Sequence, residues 1–290
     1  MARNTSGSHT SATDARARAR QIQEEQRRKD RRRRTGVIWG SVLAAVLVIG
    51  LVVAFALTRN GDDAAAAGPI PAAANEQGGI ELTSATGLAE GAGEREVDPS
   101  KIEVPKQAES SQPETLPNTE ARGDGEPTRI VLYADFNCVH CADFESSNAE
   151  QIEQWLEQGE VTVDYRMVDF LSAPNNQNYS ARAANAAYCV ADQKPEAYNG
   201  FVTALFAAYD EHQGKGLDNA ALIQLAQEHG VDISSCVEDG TFRSAVEHTT
   251  RQARVAGVAG TPTVFVDGKN WALDGEDKTF TDWAGAKIAG

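Results

Sequence analysis

The stretch that decides the fold reads Arg129-Ile130-Val131-Leu132-Tyr133-Ala134-Asp135-Phe136-Asn137-Cys138-Val139-His140-Cys141. Its apolar run, from Arg129 to Ala134, predicts a central β-strand covered on both faces, because half-exposed strands alternate apolar with polar residues. Asp135 and Asn137 then mark the start of a helix, whose apolar residues recur at helical spacing until Gly159. Two cysteines three residues apart therefore open a helix directly after a buried strand.

The Cys138-Val139-His140-Cys141 motif is typical of a redox-active pair. The spacing places both sulfur atoms on one face of the helix, and the unpaired N–H groups at its N-terminus favour a thiolate at Cys138. A thiol with a pKa of about 8.5 is about 3% ionised at pH 7, whereas one with a pKa of about 5 is about 99% ionised. Such a thiolate stabilises the reduced form, which makes the disulfide oxidising. Cys141 is the expected resolving thiol, and the Cys138–Cys141 disulfide is expected to act without a further cofactor.

His140, between the two cysteines, can place a hydrogen-bond donor or a positive charge beside Cys138. The alternative is a solvated helix residue with no electronic role. A zinc site is disfavoured, because the remaining cysteines, Cys189 and Cys236, lie 47 residues apart and form no second C-x-x-C. No histidine follows the motif, which argues against covalent haem attachment. We therefore expect no bound metal.

Downstream of the motif, periodicity predicts the order β-α-β, helical block, β-β-α. A second strand is predicted over 161–167, where apolar and polar residues alternate. Helices are predicted over 179–193, 196–211, 219–229 and 242–255. Strands predicted over 263–266 and 270–273 flank the turn dipeptide Asp267-Gly268, and a last helix covers 280–289. One α/β domain accounts for this order.

The N-terminal segment differs in composition from this domain. Residues 1–35 contain eleven Lys or Arg against four acids, which predicts a basic cytoplasmic tail. Val37 to Leu57 has 21 uncharged residues, which as a helix would span about 31 Å, so residues 36–58 are predicted to be a single transmembrane anchor. A signal peptide cleaved after Ala54-Phe55-Ala56 is the alternative, although its apolar core would be shorter, about 7 to 15 residues. The basic flank predicts that everything after Arg59 is extracytoplasmic.

Residues 59–126 are predicted to be a flexible tether between the anchor and the domain. They are rich in small, acidic and proline residues, which leaves little apolar surface for a core. Two short edge strands could form within it, at Gly79 to Leu82 and at Lys101 to Val104. The whole chain carries a net charge of −15 although its first 35 residues are basic, so the rest is strongly acidic. Such a surface repels phosphate, which argues against a nucleic-acid partner.

Cys189 and Cys236 lie in helical, apolar segments that the predicted topology places where disulfides persist. A structural bridge between them would close a loop of 48 residues and stabilise the domain by about 4 kcal/mol. Two free buried thiols are the alternative. The first pair, Cys138 and Cys141, is instead expected at an exposed helix start.

Two segments of the chain resemble the DsbA-like thiol-disulfide oxidoreductases, in particular membrane-anchored members from Gram-positive and actinobacterial species. The first is residues 133–144, around the C-x-x-C motif, and the second is residues 258–268, which contain Thr261-Pro262. The resemblance covers residues 127–290 and implies a thioredoxin fold with a helical domain inserted at about 175–256. It also implies that Pro262 is a cis-proline facing the redox pair and that Thr261 presents its backbone to a substrate strand. Second bridges such as Cys189–Cys236 occur in similar proteins.

The resemblance implies a dithiol oxidase that introduces disulfides into secreted or surface proteins with free thiols. Its own dithiol would be reoxidised by a membrane partner of the DsbB or vitamin K epoxide reductase type. A reductase or isomerase on the same fold is one alternative, because the dipeptide between the cysteines tunes the redox potential and Val139 departs from the best-known members. A non-catalytic peptide-binding module is the other, which the intact pair of cysteines disfavours.

Overall fold

The computed structural model describes residues 66–105, 112–123, 125–275 and 278–289. Its strands are β1 (Gly68–Pro69), β2 (Ile80–Leu82), β3 (Glu96–Val97), β4 (Thr128–Ala134), β5 (Val161–Met167), β6 (Thr263–Val266) and β7 (Lys269–Asn270). Its α-helices are α1 (Val139–Glu157), α2 (Tyr179–Gln193), α3 (Tyr198–Ala207), α4 (Tyr209–His212), α5 (Asn219–Glu228), α6 (Ser234–Asp239), α7 (Arg243–Val255), α8 (Trp271–Asp274) and α9 (Phe280–Ile288). The predicted tail, 1–35, and anchor, 36–58, lie outside the described residues.

Five strands form the central sheet, in the order β2-β5-β4-β6-β7. β4 and β5 are parallel and joined by α1, and the other neighbours are antiparallel. β6 and β7 form the predicted hairpin, in which Asp267 and Gly268 have φ of 44° and 76°. The strand predicted over 270–273 is wrong beyond Asn270. The Asn270 side chain accepts a hydrogen bond from the Ala272 N–H (2.9 Å) and so starts helix α8.

Both faces of β4 are buried, as its apolar run predicts. Ile130 and Leu132 belong to the main core, which also contains the buried residues of α1 and α2. Val131 and Tyr133 point to the opposite face, where they pack in a smaller core with Phe265. The motif that follows β4 is therefore held by a strand with no solvent-facing side.

The polar face of β5 is buried too, although its alternating pattern is typical of a half-exposed strand. Thr162, Asp164 and Arg166 are at most 3% exposed. The Arg166 guanidinium lies 2.8 Å from the Asp164 carboxylate and donates to the Tyr133 hydroxyl (2.6 Å). The Arg122 guanidinium donates to Thr162 Oγ1 (3.0 Å). These hydrogen bonds offset the cost of burying the charges.

Residues 66–105 belong to the fold, which corrects the tether prediction for this part of 59–126. β2 pairs with β5 at the edge of the central sheet, and Ile80 and Leu82 are fully buried. The predicted edge strand at Gly79 to Leu82 is thus confirmed within one residue. The one predicted at 101–104 is wrong, because the Asp98 side chain caps a 3₁₀ helix over Pro99–Lys101. The open edge of β5 needs a partner for its backbone groups, a requirement that composition does not reveal.

Helices α2 to α7 lie between β5 and β6 in the chain and form the helical insertion. Three of them match predicted helices to within one residue, and the helix predicted over 196–211 is divided into α3 and α4. Helix α6 contains Cys236, in a segment that the sequence predicted to be helical, and the Asp232 carboxylate accepts a hydrogen bond from the Ser234 N–H (3.0 Å) at its start. The described residues contain no helix that is both long and apolar enough to cross a membrane.

Candidate active site

Cys138 is the N-cap residue of α1, at the end of β4, and Cys141 lies in the first turn. Both are free thiols, and the residues are 7% and 1% exposed. The expectation of an exposed pair is therefore wrong. The exposed residues of the motif are Val139, at 42%, and His140. Cys138 and Cys141 belong to the main core, on the buried side of the first turn of α1.

Asp135 organises the turn between β4 and α1. One carboxylate oxygen accepts the Asn137 N–H (2.8 Å) and the other accepts the Leu171 N–H (2.9 Å), so that the loop after β5 is tied to the redox motif. The Cys138 N–H in turn donates to the Asp135 carbonyl (3.0 Å). Burial raises the pKa of Asp135 to about 7, against the hydrogen bonds that favour its anion. The sequence marked Asp135 as a helix-start residue, and only the fold reveals its contact with Leu171.

The pKa of Cys138 is lowered to about 5. A hydrogen bond with the Cys141 side chain is the largest cause, and burial opposes it. The Thr261 side chain and the backbone N–H groups of Cys141 and His140 stabilise the thiolate further. The thiolate predicted from the helix N-terminus thus has identifiable donors.

The pKa of Cys141 moves in the opposite direction, to well above its usual range. Burial is the largest cause, and the neighbouring Cys138 sulfur adds to it. At neutral pH the reduced pair therefore consists of an outer thiolate and an inner thiol. This is the ionisation that a nucleophilic and a resolving cysteine require.

The ring of His140 is exposed and lies beside Asp143. Its side chain is 77% exposed, and Nδ1 lies 3.9 Å from the Asp143 carboxylate. His140 acts on Cys138 through its backbone N–H. At the second position of the helix the side chain projects from the helix surface, so the solvated alternative describes the ring better.

Thr261 and Pro262 meet the redox pair although 123 residues separate Thr261 from Cys138. The peptide bond between them is cis. The Thr261 carbonyl oxygen lies 3.3 Å from Cys138 Sγ, because β6 starts beside β4 in the sheet. The two segments that carried the resemblance are therefore in contact at one site.

A family model described as Thioredoxin matches residues 116–285, more than half of the chain. The chain belongs to the thioredoxin family. The matched region contains both the C-x-x-C motif and Thr261-Pro262, and its α/β fold with helices between β5 and β6 is the one the resemblance implied.

This thioredoxin-family protein is similar to two solved structures from Mycobacterium tuberculosis. The reduced form of the disulfide bond oxidoreductase DsbG is 32% identical, and the similarity covers 61% of this chain and 93% of that one, with a TM-score of 0.47. Reduced DsbA is 31% identical, with coverage of 60% and 97% and a TM-score of 0.47. The sequence identity extends over nearly the whole of each relative. Both relatives are Dsb proteins by name, as are the proteins that residues 133–144 and 258–268 resemble.

Among curated proteins, this thioredoxin-family protein is similar to the serine/threonine-protein kinase PknE of Mycobacterium tuberculosis (strain H37Rv). The two are 31% identical over 149 residues, which are 48% of this chain and 26% of the kinase. The chain thus spans about a quarter of the length of the curated relatives it matches.

In this thioredoxin-family protein, Cys189 and Cys236 form a disulfide that joins α2 to α6. Their Cα atoms are 6.0 Å apart. The Asn185 amide lies between the bridge and the start of α7: its nitrogen donates to the Cys236 carbonyl (3.4 Å) and its oxygen accepts from Phe242 N–H (2.8 Å). The bridge is thus part of the helical insertion and separate from the redox motif.

Glu145 is a buried acid of α1 that the sequence did not single out. It lies one helical turn after Cys141 on α1 and is 2% exposed. Burial raises its pKa to about 7, although the Tyr165 hydroxyl donates to Oε1 (3.1 Å). Glu145 also lines a cleft of 230 Å³ between α1 and helices α3 and α4. The available signal was its position four residues after Cys141 and seven before Ile152, because residues at these spacings share the apolar face of a helix.

Proposed function

We propose that the protein is a dithiol oxidase that introduces disulfide bonds into other proteins. The observation that carries this proposal is the position of Cys138 at the N-terminus of α1 beside the buried Cys141, where hydrogen bonds lower the pKa of Cys138 to about 5 and burial raises that of Cys141. A stabilised thiolate lowers the free energy of the reduced form relative to the disulfide. The disulfide therefore accepts electrons readily, and substrate thiols are oxidised.

The reaction proceeds by two exchanges. In the oxidised protein, a substrate thiolate attacks Cys138 Sγ, the bond to Cys141 breaks, and Cys141 leaves and takes up a proton. A second thiolate of the substrate then attacks the substrate sulfur of the mixed disulfide, and Cys138 leaves as the stabilised thiolate. Two electrons pass from the substrate to the pair, and the substrate gains a disulfide.

Thr261 supports binding of an extended substrate segment in this proposal. Its carbonyl oxygen lies 3.3 Å from Cys138 Sγ, so a substrate cysteine that reaches this sulfur would bring its backbone beside the carbonyl. A backbone carbonyl beside the nucleophile can accept an N–H from that segment without reading its side chains. The enzyme would therefore accept many unfolded proteins with free thiols.

The remaining parts of the proposal concern location and partner. With residues 36–58 as the anchor, the redox domain would be extracytoplasmic, where oxidation of secreted proteins takes place. The reduced pair then needs an electron acceptor, for which we propose a membrane reoxidant of the DsbB or vitamin K epoxide reductase type.

A redox titration of the full-length protein in glutathione buffers tests the direction of the reaction. We expect a potential near the value of about −120 mV typical of a strong oxidant, rather than about −270 mV as in thioredoxin. The oxidised protein should also convert a dithiol peptide to its disulfide, and the Cys138→Ser variant should not. A potential near that of thioredoxin would instead identify a reductase, and binding without exchange would identify a peptide-binding module.

A further inference from the structure

The turn that follows α4 is built around a buried histidine. His212 is 7% exposed, and its Nδ1 accepts hydrogen bonds from the backbone N–H groups of Gly214 and Gly216, both at 3.2 Å. Gln213, Gly214 and Gly216 have φ of 48°, 80° and 80°, so the Gln213–Gly216 turn adopts a left-handed backbone that needs specific partners. The imidazole accepts hydrogen bonds from two backbone N–H groups of this turn.

The same turn contacts the residue that precedes the nucleophile. The side-chain amide of Asn137 donates to the Gly214 carbonyl (3.2 Å), and the residue is 8% exposed. The backbone N–H of Asn137 is held by Asp135 (2.8 Å). Asn137 is therefore fixed on one side by the strand-to-helix turn and on the other by Gly214.

The ring of His212 has little freedom to leave this position. It packs edge-on against the Tyr179 ring (centroids 4.8 Å apart) and the Tyr209 ring (5.2 Å). Gly216 lies so close to Tyr179 that an added Cβ would come within 2.3 Å of that ring. The turn, the ring and the start of α2 thus form one packed unit.

We propose that His212 is a positioning residue for the redox pair: its neutral ring holds the Gln213–Gly216 turn against Asn137 and thereby fixes the first turn of α1 around Cys138. The path runs from Nδ1 to Gly214, from Gly214 to Asn137, and from Asn137 to Cys138. It matters for the chemistry because the backbone N–H groups of His140 and Cys141 stabilise the Cys138 thiolate, and their direction depends on how α1 begins.

The environment of His212 favours the neutral ring that this arrangement requires. Burial lowers its pKa, and the nearby Glu211 only partly opposes the effect. Nδ1 is an acceptor only while it is unprotonated, so a neutral ring is a condition for both hydrogen bonds. The inference rests on the proposed role of Cys138 as the reactive thiolate.

The test measures the Cys138 pKa by thiolate absorbance in the reduced full-length protein. His212→Phe keeps a ring but removes the acceptor, and we expect it to raise that pKa by about one unit, so that alkylation at pH 5 slows about fivefold. His212→Asn restores a short acceptor and should return the pKa toward the wild-type value. The control His229→Phe changes another histidine packed on an aromatic ring, that of Phe201, and should not shift it.

A double-mutant cycle tests the path through Asn137. Asn137→Ala should raise the Cys138 pKa on its own, and adding His212→Phe should produce little further rise, because both changes break one chain of contacts. An unchanged pKa in His212→Phe, an equal rise in His212→Asn, or additive effects in the cycle would each overturn the proposal. If His212→Phe fails to fold, Asn137→Ala decides, since an unchanged pKa there removes the path. The readout is the ionisation of Cys138, so it stands apart from whether the protein proves to be an oxidase or a reductase.

Discussion

At the scale of single residues, Cys138 derives its acidity from neighbours that the linear motif only partly contains. The Cys141 side chain is the largest contributor, Thr261 comes from the other end of the domain, and His140 adds a backbone N–H. The dipeptide between the cysteines therefore acts through backbone geometry more than through the imidazole.

We predict that Cys141→Ala raises the pKa of Cys138 by about one unit or more, because it removes the largest stabilising contact of the thiolate. His140→Ala should leave it nearly unchanged, since the ring faces Asp143. In the wild-type protein, alkylation should slow about tenfold per pH unit below pH 5. A large rise in His140→Ala would show that the ring reaches the sulfur and would contradict this assignment.

Glu145 gives a second prediction, on stability. Its pKa is about 7 in the folded protein against an ordinary value of 4.5, so the folded state holds the proton more tightly and the free energy of unfolding falls as the pH rises through this window. The difference corresponds to about 3 kcal/mol at pH 8. Glu145→Gln, which still accepts from Tyr165, should recover up to that amount at pH 8 and almost none at pH 4.

Urea unfolding of the wild-type protein and of Glu145→Gln at pH 4, 6 and 8 measures this difference in the free energy of unfolding. Glu150→Gln, an exposed change on the same helix, is the matched control and should show no such pH dependence. Equal stability of wild type and Glu145→Gln at pH 8 would mean that the carboxylate is solvated.

At the scale of elements, the short strand β2 completes the sheet. It covers the edge of β5, and Tyr188 of α2 donates to the Gly78 carbonyl beside it (2.6 Å). Residues that precede the C-x-x-C by some 60 positions thus support the strand that is parallel to β4.

We predict that Ile80→Ala destabilises the protein by about 2 to 5 kcal/mol, the cost of emptying a fully buried site. Ile102→Ala is the control, because Ile102 lies outside the strands and is only half-buried; it should cost less than about 1 kcal/mol. Thermal or urea unfolding distinguishes the two. Similar small losses of stability in both variants would show that residues 66–105 are a tether and not part of the fold.

The bridge between α2 and α6 closes a long loop that contains three helices. The double variant Cys189→Ala, Cys236→Ala should lose about 4 kcal/mol of stability, because the unfolded chain regains the entropy of a loop whose ends are 47 residues apart. The proposed dithiol oxidation should be retained, since the bridge lies outside the redox motif. Mass mapping that linked either cysteine to Cys138 or Cys141 would refute this separation.

At the scale of the whole molecule, an acidic redox domain follows a basic, then apolar, N-terminal segment. If residues 36–58 anchor the chain, membrane fractionation should retain the full-length protein at 31.0 kDa, with the domain open to external protease. Recovery of a soluble species that begins near Thr58 would favour the cleaved signal peptide. Neutralising the basic residues of 1–35 should make the orientation of the chain in the membrane less uniform, without altering the redox potential of the cysteine pair.

The sequence by itself determined the β4-α1-β5 unit, most of the inserted helices, the hairpin at Asp267-Gly268 and the redox motif. These features depend on periodicity and turn chemistry, which act over a few residues and are visible in any window of the chain. The DsbA-like resemblance was equally accessible, because its two segments carry distinctive residues.

Only the tertiary structure decided which residues surround Cys138 and how the sheet ends. The hydrogen bond from Leu171 to Asp135 and the pairing of β2 with β5 join segments that are far apart in the chain. The burial of Glu145 depends on the elements that pack against α1. Burial and pairing depend on what packs on each face, and a pKa depends on burial and charge together. Local sequence carries neither quantity, so the tether prediction failed for residues 66–105 and the surroundings of the His140 ring stayed open, whereas β4 and α1 were predicted correctly.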